Sequence, residues 1–262
     1  MRKIILLTVF LFVSAISVTA FYFSGLRLPG QQTANVINRI PANAAIIFQF
    51  KNDREFYNLF SGNSLLTSFI GQKKASDLIY LHENLSKNIF NEQRIFVSLH
   101  PEINSQNISL LLTTTADKQF NIQTLTERYI GKTTIESTGK NRITAINFTP
   151  IKEVFYICEK ADVIAGSFDK TLLISFLENK KDTDVEVFKQ LPDQQNKNSI
   201  ANLYVNYGQL PALMNCLFRN QNNEFIQLLN GFAGNVSLSL NYKTDALFFN
   251  GYTQTDTSIA SY

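Results

Sequence analysis

The chain reads as an α+β protein: an N-terminal transmembrane helix, then a mainly antiparallel sheet with helices on one face. Three observations predict this. Residues Ile4 to Phe23 form a run of twenty residues without a charge, placed directly behind Arg2 and Lys3. Short apolar, β-rich runs come in pairs separated by turn-forming residues, as hairpins require. Stretches of helical periodicity separate groups of strands instead of alternating with single strands, which favours antiparallel over parallel sheet.

At about 1.5 Å per residue, a helix of that length spans a hydrocarbon core of about 30 Å. Basic residues before it direct the N-terminus to the cytoplasm and the body across the membrane. The rival reading is a cleaved signal peptide, for which Val18-Thr19-Ala20 is an acceptable small-residue site. Phe21-Tyr22-Phe23 carry the apolar run past that site and suit a membrane interface, which favours a retained anchor. No cysteine lies near the end of the run, so lipid attachment to a cysteine there is excluded. On either reading the body is exported, and the lipid bilayer is a partner through residues 4–23. Residues 1–23 are thus anchor or signal peptide, 24–39 a polar spacer with Gly25, Pro29 and Gly30, 40–254 the exported domain, and 255–262 a polar tail.

Within the body, Ala44 to Phe50 reads as a buried strand. Asp53 caps a helix carrying Phe56, Leu59 and Phe60; a second helical stretch holds Leu65, Leu66, Phe69 and Ile70. Lys74 to Leu85 places Leu78, Ile79, Leu81 and Leu85 near one face of a third. Ile95–Leu99 and Ile108–Thr114 are strands joined by a polar loop. Phe120 to Ile130 suits a helix. Short strands follow over Thr133–Glu136, Arg142–Phe148, Glu153–Cys158 and Asp162–Ala165, the last two forming a hairpin. Ser167 or Asp169 caps a helix with Leu172, Leu173, Phe176 and Leu177. Gln190 to Asn198 is a loop and Ala201–Tyr207 a strand. Leu210–Phe218 is a helix that resumes over Glu224–Leu229. Asn235–Tyr242 and Ala246–Tyr252 make a final hairpin.

The order contains an echo. Ile46–Phe50, then helices, then Val97-Ser98-Leu99 opening a hairpin, matches Leu203–Tyr207, then helices, then Val236-Ser237-Leu238 opening another. An internally duplicated strand–helices–hairpin unit explains this; chance likeness of short apolar runs is the alternative. The N-terminal anchor, the Pro41-Ala42-Asn43-Ala44 lead-in to the first strand, and the stretch Val154 to Phe168 running into a helix carry a resemblance. Together they resemble uncharacterised bacterial membrane-anchored envelope proteins with a domain of unknown function, over most of residues 1–254. The resemblance implies an exported envelope protein and supplies no site residues.

Charge excludes one class of partner. The chain has 24 basic and 21 acidic residues, and setting Arg2 and Lys3 aside leaves 22 against 21. A nucleic-acid binder needs a basic patch to meet phosphates, and the pair Lys180-Lys181 is cancelled by Glu178, Asp182 and Asp184. No nucleic acid is expected as partner.

Catalytic motifs are sparse. The two histidines, His82 and His100, read as a helix residue and a loop residue after a strand. No Gly-x-Ser-x-Gly elbow occurs. Ser167-Phe168-Asp169-Lys170 is a Ser-x-x-Lys sequence at a strand-to-helix junction, followed by Tyr204-Val205-Asn206 and Lys243-Thr244-Asp245. That order is similar to serine acyl-transfer enzymes, whose Lys deprotonates Ser. Asp245 stands where the third motif needs Gly, and the competing reading is a helix cap with Lys170 in water. Gly131-Lys132-Thr133 lacks the strand and first Gly of a phosphate loop. Asp53, Glu55, Asp182 and Asp184 do not cluster with His, so no metal, cofactor or catalytic residue is assigned. Cys158 and Cys216 can pair in an exported protein; two small buried side chains is the reading their apolar surroundings favour. With no Trp among the aromatics, Phe48, Phe50, Phe56, Phe60, Phe69, Phe248 and Phe249 are expected to fill the core.

Three functions remain. The first is a non-enzymatic, single-pass envelope protein whose body is an interaction or scaffolding module for an envelope protein. The second is a binding protein for an apolar ligand, lipid or peptide. The third is an acyl-transfer enzyme built on Ser167 and Lys170.

Overall fold

The structure is a computed structural model. It describes residues 12–14, 16–19, 35–51, 71–81, 83–84, 94–102, 107–116, 133–138, 141–148, 152–178, 199–217, 234–243 and 246–254.

Ten described strands form one sheet, and every neighbouring pair in it is antiparallel. They are β1 (Ile46–Lys51), β2 (Arg94–Glu102), β3 (Asn107–Thr115), β4 (Thr133–Thr138), β5 (Asn141–Phe148), β6 (Glu153–Lys160), β7 (Val163–Ser167), β8 (Ala201–Asn206), β9 (Asn235–Lys243) and β10 (Ala246–Gln254). Their order across the sheet is β10-β9-β8-β1-β2-β3-β7-β6-β5-β4. Three described helices lie on it: α1 (Gln72–Leu81), α2 (Lys170–Glu178) and α3 (Leu210–Leu217). The α+β class with antiparallel sheet therefore holds.

Alternation along the strands divides the sheet into two faces. Ile47, Phe96, Leu111, Tyr204, Ile143, Cys158 and Ala165 share one face with Leu172, Leu173, Phe176 and Leu177 of α2. Val36 and Ile37, at the end of the expected spacer, and Ile40, the first residue of the expected domain, lie in this core too. On the other face Ile46, Phe50, Ile95, Val97, Leu99 and Leu110 pack with Leu210 and Leu213 of α3. Further along that face, Leu81 of α1 joins Ile146, Phe148, Phe155, Ile157 and Ile164. The expectation of helices on one face is thus corrected. Strands buried on both sides, such as β7 with all five residues buried, need a cover above and below.

The β1–β8 pair sits inside the sheet, flanked by β2–β3 on one side and β9–β10 on the other. Phe48 faces Val97 across β1 and β2, and Val205 faces Val236 across β8 and β9. Ile46–Leu99 and Leu203–Leu238 correspond in the same way.

Among the described residues no helix is long and apolar enough to cross a membrane. Of the expected anchor, residues 12–14 and 16–19 are described; they are helical, with Phe12, Val13, Ile16 and Val18 exposed. The expected helices over residues 53–70, 120–130 and 224–229, the loop 190–198 and the tail 255–262 lie outside the described residues.

Candidate functional site

Ser167 and Lys170 are not brought together. Ser167 closes β7 and is fully buried; its Oγ donates to the Leu110 carbonyl at 2.7 Å and accepts from the Asp169 N–H at 2.9 Å. Asp169 is the cap of α2, its Oδ1 accepting the Thr171 N–H at 2.8 Å. Lys170 points away and pairs with Glu136 of β4. Tyr204 is also fully buried, and its hydroxyl donates to Gln49 Oε1 at 2.9 Å. Burial pushes its phenol up from the ordinary range, with Arg94 working the other way. A lysine engaged with a carboxylate and a serine bonded to backbone do not make an acyl-transfer pair.

A different constellation lies on the same face, and sequence reasoning missed it. His100 is not in a loop. β2 continues past Leu99 to Glu102 because β3 pairs with it down to Asn107, and alternation turns Ser98 and His100 into the core with Phe96. The imidazole Nε2 is 2.8 Å from Ser98 Oγ, and Nδ1 is 2.8 Å from Asn43 Oδ1. An amide oxygen only accepts, so Nδ1 carries the proton and Nε2 is an acceptor for the single Ser98 hydroxyl proton, for which the Leu111 carbonyl at 3.3 Å competes. This is the connectivity of nucleophile, base and orienting group. The accessibility is opposite to what catalysis needs: Ser98 is 0% and His100 1% exposed. Burial holds the imidazole down to about 3, against a smaller upward pull from Asp169. At neutral pH it is an uncharged ring with both nitrogens bonded, a structural element of the core. The only available signal was the i, i+2 spacing of Ser98 and His100; Asn43 is distant in sequence and gave none.

The cysteines are both free. Cys158 is buried in the α2-side core, and burial pushes its thiol up to about 12 despite Lys160. Cys216 lies in α3, on the opposite side of the sheet, which separates the two. Near α1, Lys73 pairs with Glu153, and burial followed by Glu153 raises the Asp77 carboxyl above its ordinary value. Among the described residues no group of three or more His, Cys, Asp or Glu side chains gathers as a metal site. His82, Asp53, Glu55, Asp182, Asp184, Phe56, Phe60 and Phe69 lie outside the described residues.

The aromatics divide. Phe50 is buried and Phe48 packs against the same core, as expected. Phe248 and Phe249 are not core: they are 47% and 49% exposed, and Tyr252 beside them 59%. They belong to β10, the outermost strand on that side, where Phe248 to Thr253 are all exposed. The strand alternation puts Phe248 and Tyr252 on one face and Phe249 on the other. Ala246–Gln254 contains no charged residue and no proline. Among the described residues this is an exposed, uncharged strand edge, suited to association and not to bond making.

A scan against protein-family models finds no match, and a search of curated proteins finds none. Among solved structures the chain is similar to one described as crystal form I of TP0453. The TM-score is 0.39 and the identity 13%, over 89% of this chain and 81% of that one. At that level nothing is carried over from TP0453 to this chain.

Proposed function

We propose that this chain is a non-enzymatic, single-pass envelope protein, held in the bilayer by residues 4–23, whose exported body is an interaction module. Its membership of the bacterial membrane-anchored family it resembles belongs to the same reading, as does the internally duplicated strand–helices–hairpin unit. The matched pairings Phe48–Val97 and Val205–Val236 support the duplication. The reading of the body rests on one observation. Among the described residues Ser98, His100 and Ser167 are sealed in the core, while exposed aromatics of the sheet stand on β10. The exposed, helical Phe12, Val13, Ile16 and Val18 support the anchor, since apolar side chains not packed on the body need another apolar medium.

The test is protease accessibility of the full chain, tagged at each end, in cells whose outer layer is opened and whose inner membrane is intact. The body is expected to be digested and the N-terminal tag protected, with both in the membrane fraction. A chain recovered from the cytosol and protected throughout overturns the reading.

A further inference from the structure

β10 pairs with β9 on one side and, among the described residues, ends the sheet on the other. Natural edge strands are blunted by brevity, charge, proline or a bulge, because their open N–H and C=O groups template pairing. The other outer strand, β4, follows this rule: it has six residues and carries Glu136, itself paired with Lys170. β10 has nine residues, no charge and no proline.

Its own sequence states what fits beside it. A second β10 placed antiparallel and centred on Asn250 sets Phe248 against Tyr252 of the second copy, and Phe249 against Gly251. Each of these pairs occurs twice by symmetry. The first is an aromatic cross-strand pair, among the more stabilising kinds. The second lays a Phe ring over a glycine. Gly251 is required from within the chain, since a Cβ there runs into the Ser237 carbonyl and Leu238 of β9. Inside the molecule a Phe ring also covers a strand glycine, though diagonally: Gly166 of β7 faces Ile157, and Phe155 of β6 lies so close that a Cβ on Gly166 would meet its ring. Nine residues at about 3.4 Å each give an edge about 30 Å long. Six half-exposed aromatics present roughly 100 Å² apiece, so their burial with the backbone edge bounds the contact at or below the ~1,000 Å² of a specific interface.

We propose that β10 is the docking site for a second copy of this chain, which adds edge to edge and antiparallel to form a two-fold symmetric dimer with one continuous sheet. The symmetry closes the assembly, because each copy uses its β10 once. The proposal deepens the reading of the body as an interaction module by naming the partner, and rests on that reading for the surface alone, not for export or anchoring.

The experiment is cysteine crosslinking of the full-length chain in its native membrane. Cys216→Ser removes the partly exposed native thiol. In that background Asn250→Cys places two thiols directly opposite each other, within disulfide reach. Thr253→Cys places them about 20 Å apart. Mild oxidation is expected to give a species of twice the chain mass from Asn250→Cys and none from Thr253→Cys. Equal crosslinking of both, or of neither, overturns the register. A crosslinked species of any other mass overturns the second copy as occupant. For the detergent-solubilised wild-type chain, sedimentation is expected to find a dimer whose dissociation constant rises at least tenfold in Phe249→Lys, with circular dichroism unchanged. A wild-type monomer sinks the proposal even where protease accessibility upholds export, and a dimer found in the cytosol leaves it standing while the export reading fails.

Discussion

β3 and β10 hold corresponding places, each the third strand outward from the β1–β8 junction, yet their surroundings are opposite. β3 has β7 on its outer edge, α2 above and α3 below, and most of its residues are buried. Among the described residues no strand lies beyond β10, and Phe248 to Thr253 are exposed. Local sequence does not account for the contrast, since Ile108–Thr113 and Leu247–Tyr252 both mix apolar and small polar residues. The covering elements account for it. A strand becomes core when neighbours close its edge and both faces, and remains a binding edge when they do not.

The largest expected effect lies in the interior beside β3, at His100. Its folded value is near 3 and its ordinary value 6.5. Between those values the unfolded chain holds a proton that the folded chain refuses. Stability is therefore complete above about pH 6.5 and is lost as the pH falls toward 3, by several kcal/mol and at most about 5. Urea denaturation across that range checks it against His100→Gln, which keeps hydrogen-bonding capacity without the titration. The wild type should lose its stability advantage over the variant on acidification; parallel profiles would show that His100 does not titrate this way. β10 offers no counterpart to this acid sensitivity.

Next in size is a direct contrast of the two strands. Leu111 of β3 is fully buried between β2 and β7. Leu111→Ala should cost about 3 kcal/mol, from lost transfer energy and the cavity left behind. Phe249→Ala on β10, measured at a concentration that keeps the chain monomeric, should change stability by no more than about 0.5 kcal/mol. Equal costs would mean that β10 is as enclosed as β3, and the comparison would fail.

Much of this framework was legible in the sequence. The described strands and helices fall close to their expected places, because each is set by a local signal: alternation, β-branched runs, or a cap such as Asp169 with its bond to the Thr171 N–H. What was not legible depends on contacts between distant segments. His100 read as a loop residue because Pro101 follows it, whereas β3 extends β2 through both. Phe248 and Phe249 read as core because phenylalanine usually is, and no local feature records that they stand exposed among the described residues. The sides taken by α1, α2 and α3 follow from which face of the sheet each connection reaches, and side-chain periodicity is silent on that.

The smallest effect concerns how β3 gains its cover. β7 reaches β3 through the two-residue turn after β6, where Ala161 and Asp162 have φ of 47° and 64°. Both therefore sit in the left-handed region, as a type I′ hairpin turn requires. Ala161 has a Cβ and no polar group to compensate, at a cost of about 1–2 kcal/mol. Glycine removes that cost but adds about 0.5–1 kcal/mol of unfolded-chain entropy. Ala161→Gly should therefore stabilise the fold by about 0.5–1 kcal/mol, read as a higher urea midpoint with unchanged slope. The backbone bond from the Ala116 N–H to the Asp162 carbonyl, 2.8 Å long, ties this turn to the end of β3. Slower amide exchange at Ala116 in the variant would show the relaxed turn holding β7 against β3 more firmly. A lower midpoint would mean that the side chain of Ala161 contributes packing that outweighs its backbone strain.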